Sequence, residues 1–261
     1  EFIDFMIDHE LMDLQNKPGK ASTGYTTSLP SLKAPFVFSC FNHTIFDMQV
    51  LTHELGHAFA GYMAMRSQPI SDYYSESTDI AEIHSMSMEQ FAYPYAEWFF
   101  GDQADKFRFA HLQEAITFVP FGVAVDEFQH ICYAHPELTP KERTYQWHLL
   151  EEKYMPWRKY DNDPFMERGG YWYHKLHIYL YPFYYINYTL TTMGAMEFKK
   201  KYAEDKQAAW QDYLKLCKTG GSRSYLETLR YANLANPFEP GSVARACSCA
   251  EKILLEQIAA F

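Results

Sequence analysis

Apolar residues recur along most of this chain at spacings of three and four, the period of one face of an α-helix. After Thr44 they become dense: Ile45, Met48, Val50, Leu51, Leu55, Ala58, Phe59 and Met63. A helix apolar on most sides is a buried helix. Thr44 supplies its N-cap, with Asp47 three residues on as a partial capping box. Gly56 and Gly61 each disfavour helix by ~1 kcal/mol relative to alanine. Their presence suggests that something packs closely against it. A second run, Ile80, Ala81, Ile83, Met86, Met88 and Phe91, follows the helix-starting residues Ser77, Thr78 and Asp79. Periodicity predicts helices over roughly 78–100, 102–133, 139–154, 171–200, 205–217, 222–232 and 241–258. Thr139-Pro140-Lys141-Glu142 is a capping box with proline at the first helical position. Pro94, Pro120 and Pro182 should kink or break their helices. Residues 16–20 read as a loop. Only 24–27 and 36–41 read as strands, being β-branched or aromatic and bounded by proline. The fold expected is mainly α, with a small β element just before the buried helix.

Composition narrows the setting. Hydrophobic residues make up 48%, enough for a sizeable core. No apolar run approaches the ~20 residues that span a membrane. The net charge of −10 without a basic patch argues against nucleic acid and anionic membranes as partners. Cys40, Cys132, Cys217, Cys247 and Cys249 are odd in number and scattered, which fits free thiols in the cytoplasm better than a disulfide framework. Residues 1–8 have no basic region and no signal-peptide core. They read as the middle of an amphipathic helix, so the chain is expected to begin inside a larger protein. There is no internal repeat.

The chemistry centres on His53-Glu54-Leu55-Gly56-His57. Four residues is about one helical turn, so His53 and His57 project from the same face. Two imidazoles at that spacing can bind one zinc ion, and Glu54 is placed to take a proton from water on the metal. The motif occurs by chance in roughly one chain of this length in a hundred, so it needs support. A buried helix supplies some, because buried histidines and a buried glutamate require partners.

A catalytic zinc site takes a third protein ligand and leaves a position open. Two glutamates compete for that role. Glu76 lies 19 residues after His57, a separation used by zinc aminopeptidases, but it sits in a loop-like segment. Glu82 lies on the predicted second helix, which holds a ligand more firmly than a loop does. Glu82 is favoured and Glu76 stays as the alternative. Glu89 is two turns beyond Glu82 on the same face and is expected to orient a ligating histidine from behind. Asp79, at the start of that helix, is assigned a similar supporting role.

Far downstream His177, Tyr181, Tyr185 and Tyr188 fall in an aromatic run. The tyrosines are spaced four and three, one face of a helix. Buried phenol oxygens need partners, and a row of them beside a histidine suits a site where charge develops on a carbonyl oxygen. Pro182 is expected to aim Tyr185. Phe38 belongs to the strand at 36–41, whose free edge would pair with an extended peptide.

Taken together the motifs are specific. They are Pro35-Phe36-Val37-Phe38, Leu51-Thr52-His53-Glu54-Leu55-Gly56-His57-Ala58-Phe59, Asp79-Ile80-Ala81-Glu82-Ile83-His84-Ser85-Met86-Ser87-Met88-Glu89, and His177-Ile178-Tyr179-Leu180-Tyr181-Pro182-Phe183-Tyr184-Tyr185-Ile186-Asn187-Tyr188. With them the chain resembles the catalytic part of an oligoendopeptidase F, in the thimet oligopeptidase family of zinc metallopeptidases. The resemblance implies a zincin-like catalytic domain over 1–261 and one zinc ion held by His53, His57 and Glu82, with Glu54 as general base. It places His177, Tyr181, Tyr185 and Tyr188 at substrate-contacting positions, with Tyr185 and Tyr188 nearest the reacting carbonyl. A glycine-rich loop beside the cleft in relatives corresponds to Gly169-Gly170. The implied substrates are oligopeptides. Relatives are much longer, and their N-terminal half, a possible partner of this part, has no counterpart here. His43 and Cys40 depart from the pattern, which often has glycine and asparagine there. So does the spacing from His177 to Tyr181, one shorter than in the thimet branch. A non-catalytic zinc-binding module is the reading from a different class, and intact Glu54 counts against it.

Overall fold

Helix breakers and caps divide the chain much as their chemistry requires. The computed structural model describes residues 1–260, mainly helical with one small sheet. After α1 (Phe2–Asp8) come β1 (Met12–Gln15), β2 (Tyr25–Leu29) and β3 (Ala34–Phe41). The sheet order is β1-β3-β2, with β1 parallel and β2 antiparallel to β3. β1 went unread in the sequence because four residues carry little periodic signal, and its pairing partners, Val37, Phe38 and Phe41 of β3, lie far along the chain. The topology also corrects the expectation for Phe38. Its strand, β3, is central, and the open edge beside the zinc-motif helix belongs to β2.

That helix is α2 (Ile45–Ser67), opened by the Thr44–Asp47 capping box. The Asp47 carboxylate accepts backbone N–H groups of Asn42, His43 and Thr44 at 3.0, 2.7 and 3.2 Å. This brace holds His43 at φ +64°, the left-handed region that glycine enters most cheaply. α2 packs on the sheet through a buried cluster of Met6, Leu11, Ala34, Val37 and Ala58. On another side Phe59 and Ala60 meet Ile80, Ile83 and Phe91 of α3 (Thr78–Phe91) and Tyr213 and Leu216 of α9 (Lys206–Thr219). Burying each large apolar side chain contributes ~1.5–3 kcal/mol relative to exposure. At Gly56 the two helices touch almost backbone to backbone. A β-carbon there would stand 2.6 Å from Ser85 Cα and 2.8 Å from the His84 carbonyl oxygen.

Pro94 ends the second predicted helix early. A 3-10 turn at Tyr93–Tyr95 leads to α4 (Ala96–Phe100), and Gly101 at φ +52° turns the chain towards α5 (Ala104–Ala134), which carries Pro120 inside it. In α6 (Pro140–Tyr154) the predicted cap is present, with the Glu142 carboxylate accepting the Thr139 N–H at 2.8 Å. The helix expected over 171–200 is not continuous. A 3-10 turn at Gly170–His174 and α7 (Leu176–Leu180) precede an irregular stretch, and α8 (Ile186–Glu204) begins beyond it. Proline lacks an N–H and disfavours helix at the residue before it, so the break falls at Tyr181-Pro182. Phe183 takes φ +62° and donates its N–H to Gln129 Oε1 at 2.9 Å. Tyr181, Tyr185 and Tyr188 therefore do not line one helical face. α10 (Tyr225–Tyr231) and α11 (Ser242–Ala260) follow α9. No described helix is long and apolar enough to cross a membrane.

The chain forms two compact units, Gln113–Leu190 and the sequence on either side of it. The first-mentioned has an aromatic core that includes Phe121, Phe128, Trp147, Trp172 and Tyr185. The other holds the sheet, α2, α3 and α9.

The Gly56 contact yields a test. Gly56→Ala gains ~1 kcal/mol of helix propensity but overpacks two backbones, at a cost of typically 1–3 kcal/mol. The net expectation is a lower melting temperature by circular dichroism. An unchanged or raised midpoint would show that α2 and α3 can part to admit a methyl group.

Candidate active site

α2 and α3 cross so that one face of each looks at the other. His53 and His57 come from α2, one turn apart as their spacing predicted, and Glu82 comes from α3. His53 Nε2 stands 3.1 Å and His57 Nε2 3.4 Å from Glu82 Oε2. Among the described residues, these three form a group of potential metal-ligating side chains whose donor atoms all lie within 4.8 Å of one another. Zinc bonds of ~2.0–2.2 Å in tetrahedral geometry put ligand atoms roughly 3.4 Å apart, so the donor set and its spacing fit that ion.

The electrostatics favour a cation in the same place. Burial opposes charge on His53, but the carboxylates of Glu82 and Glu89 outweigh it and push its pKa up to about 10. Burial would raise Glu82, yet the two imidazoles pull its carboxyl below the usual range. A field that retains a proton on an imidazole would also stabilise a divalent ion bound in its place. Ser85 Oγ donates to Glu82 Oε2 at 2.9 Å and fixes the carboxylate further.

Glu76 lines the same cavity but turns to His84. Its Oε1 is 3.3 Å from the buried His84 Nδ1, an ion-pair distance without an aligned hydrogen bond. Burial raises the Glu76 pKa, but His84, a backbone hydrogen bond and the His57 charge together leave it lowered. Glu89 reaches His53 from behind, with Oε1 2.6 Å from Nδ1. Asp79 remains at the first turn of α3, accepting a hydrogen bond from Ser77 Oγ.

Glu54 is 6% exposed and lines the same cavity as His53, His57 and Glu82. Thr26 Oγ1 lies 2.8 Å from Glu54 Oε2 and 2.9 Å from its backbone oxygen. Thr26 was not singled out in the sequence, where it is one of several hydroxyl residues in β2. The cavity, about 660 Å³, is bounded by β2, by His53, Glu54 and His57, and by Glu76 and Glu82. Phe38 instead stacks on Tyr25, with ring centroids 4.9 Å apart and Lys20 Nζ over its ring.

In the other unit His177 is the hub of an aromatic cluster. Its ring lies 5.1 Å from Tyr185, 5.8 Å from Tyr188 and 6.2 Å from both Tyr181 and Tyr184. Tyr185 is buried, which pushes its phenol up to about 12, whereas Tyr181 is exposed. Burial, then the Lys175 charge, lowers the His177 pKa. Tyr184 completes the cluster and was not among the expected site residues. Gly170 is buried, with the ring and carbonyl of Phe165 so close that a β-carbon would meet them at 2.4–2.5 Å. Packing alone accounts for glycine there.

A buried H-E-x-x-H helix, a glutamate from the next helix and a small sheet bordering the cleft make up a zincin-like metallopeptidase domain. Residues 4–245 match peptidase family M3, and the chain belongs to that family. It is similar to an oligoendopeptidase F homolog of Borreliella burgdorferi, 26% identical over 229 residues, covering 86% of this chain and 38% of that one. The oligopeptidase PepF of Bacillus subtilis is 22% identical over 259 residues, covering 96% of this chain and 37% of that one. Among solved structures, PZ peptidase A with an inhibitor superposes at a TM-score of 0.87 and is 48% identical, over 98% of this chain and 45% of that one. The chain thus spans less than half the length of these relatives.

The choice between the two glutamates can be measured. Glu82→Ala is expected to reduce bound zinc from one equivalent to near none by atomic absorption, while Glu76→Ala keeps it. The reverse pattern would move the third ligand to Glu76.

Proposed function

We propose that this chain is the catalytic part of a zinc-dependent endopeptidase that hydrolyses internal bonds of oligopeptides. The observation that carries the proposal is the convergence of His53, His57 and Glu82, with buried Glu54 beside them. A zinc ion on those three residues would supply Lewis acidity and lower the pKa of a water molecule from ~15.7 towards ~7. The Glu54 carboxylate takes the proton released as that water attacks the peptide carbonyl, then passes it to the departing amine nitrogen. Thr26 holds that carboxylate in place. The open edge of β2 supports an extended substrate, whose backbone would add to the sheet beside Glu54.

For Tyr185, Tyr188 and His177 the proposal rests on the family likeness, with the two phenols donating hydrogen bonds to the carbonyl oxygen as charge builds on it. The raised pKa of Tyr185 keeps it a donor at neutral pH. Tyr181 is assigned a substrate contact on the same basis, and its exposure leaves it accessible for one. The five cysteines are unpaired, which supports a reducing compartment such as the cytoplasm.

Two variants test the roles against a quenched fluorescent oligopeptide. Glu54→Gln should keep one zinc and lose turnover by ~10²–10⁴-fold; unchanged turnover would remove it as the base. Tyr188→Phe should keep zinc and lose ~10²-fold, and a loss under threefold would return Tyr188 to aromatic packing. One bound zinc with no cleavage by the unaltered chain would favour a zinc-binding module.

A further inference from the structure

Behind His53 the polar contacts do not stop at Glu89. The second Glu89 oxygen, Oε2, is 2.5 Å from His111 Nε2, and His111 Nδ1 is 2.6 Å from the Tyr93 hydroxyl. Glu89, His111 and Tyr93 are 7%, 8% and 8% exposed. Buried polar groups this close are costly unless each contact contains one proton, so the protons can be assigned. An ionised carboxylate only accepts. Both imidazole nitrogens facing Glu89 must therefore carry hydrogen. With the His53 Nδ1 proton held by Glu89, Nε2, the atom turned towards Glu82, is the nitrogen whose proton a metal ion would replace. His111 with its proton on Nε2 has a bare Nδ1, and Tyr93 is the donor that this nitrogen needs. Burial raises the Tyr93 pKa, so the phenol keeps its hydrogen.

Tyr93 is itself fixed on two sides. Arg108 donates to its carbonyl oxygen at 2.8 and 3.1 Å, and Lys199 Nζ lies 4.0 Å from its ring centroid. Phe107 stacks on His111, with centroids 5.5 Å apart.

We propose that His111 and Tyr93 are positioning residues for the zinc centre, acting through Glu89 to hold His53 in the tautomer that presents Nε2 to the metal. Tyr93 sets the tautomer of His111, His111 locks one oxygen of Glu89, and the other oxygen is left to orient His53. Outer partners of this kind change metal affinity ~10–100-fold when lost. The inference rests on the zinc reading above, and the test separates the two.

The experiment uses the full chain and zinc alone. It measures the zinc dissociation constant by chelator competition, the melting temperature of the metal-free protein, and the histidine tautomers by ¹⁵N-resolved NMR. Tyr93→Phe keeps the ring and removes only the hydroxyl. It is expected to weaken zinc binding ~10-fold, leave the metal-free melting temperature within a few degrees of wild type, and turn His111 from the Nε2–H form to a mixture. His111→Phe should weaken zinc ~100-fold, and His111→Gln, which still offers Glu89 an N–H, should recover part of that loss. Zinc affinity unchanged in Tyr93→Phe and His111→Phe overturns the inference and leaves the metal centre standing. So does a loss in His111→Gln as large as in His111→Phe. A wild-type chain that binds no zinc overturns both readings.

Discussion

The centre depends on a contact that involves almost no side chain. α2 and α3 approach at Gly56 until the Ser85 Cα and His84 carbonyl occupy the space a β-carbon would need. Only at that separation can carboxylates on α3 reach imidazoles on α2 at 2.6–3.4 Å. Gly61, five residues on, faces the sheet more loosely, with the Ser28 side-chain Oγ 3.1 Å from where its β-carbon would stand. Each glycine lowers helix propensity by ~1 kcal/mol. The large apolar residues around them, Phe59, Ile80, Ile83 and Phe91 among others, offset that through burial.

Charge follows from this geometry. Glu82 and Glu89 flank His53 from its two ring nitrogens, and both carboxylates stay ionised because imidazoles face them. Separating these groups would leave buried charges unpaired, at several kcal/mol each. The packing that joins the helices and the electrostatics that favour a cation therefore reinforce one another. The same low-dielectric setting makes a third buried residue, His111, worth satisfying with a dedicated phenol.

Local signals in the sequence carried most of the helices and the cluster of candidate ligands. The i, i+4 histidines, Glu82 on a capped helix and Glu89 seven residues later share faces whose spacing needs no tertiary information. Thr44–Asp47 and Thr139–Glu142 were readable for the same reason, since a cap is a contact within four residues. What escaped detection needed distant partners. β1 is defined by pairing with β3, and Phe38 was assigned a free edge that strand order gives to β2. Tyr181, Tyr185 and Tyr188 kept helical spacing across a stretch that is not helical, because Pro182 and the Gln129–Phe183 hydrogen bond overrode periodicity. Thr26, Tyr93 and His111 are ordinary residues in ordinary segments. Only their partners, 15 or more residues away, single them out.

Strand β2 shows how one element can serve both the proposed base and the proposed substrate. Side chains alternate along a strand, so Thr26 and Ser28 turn inwards to α2 while Tyr25 and Thr27 stand exposed. The inward threonine holds Glu54, and the main chain on the side away from β3 is paired with no strand among the described residues. A peptide adding to that edge takes its register from the same backbone that fixes Glu54 through Thr26. On the proposed reading, the distance between Glu54 and a bound scissile bond would be set by one short strand, with no loop in between. That arrangement would serve the proposed base, which has to lie within hydrogen-bond reach of the proton it removes.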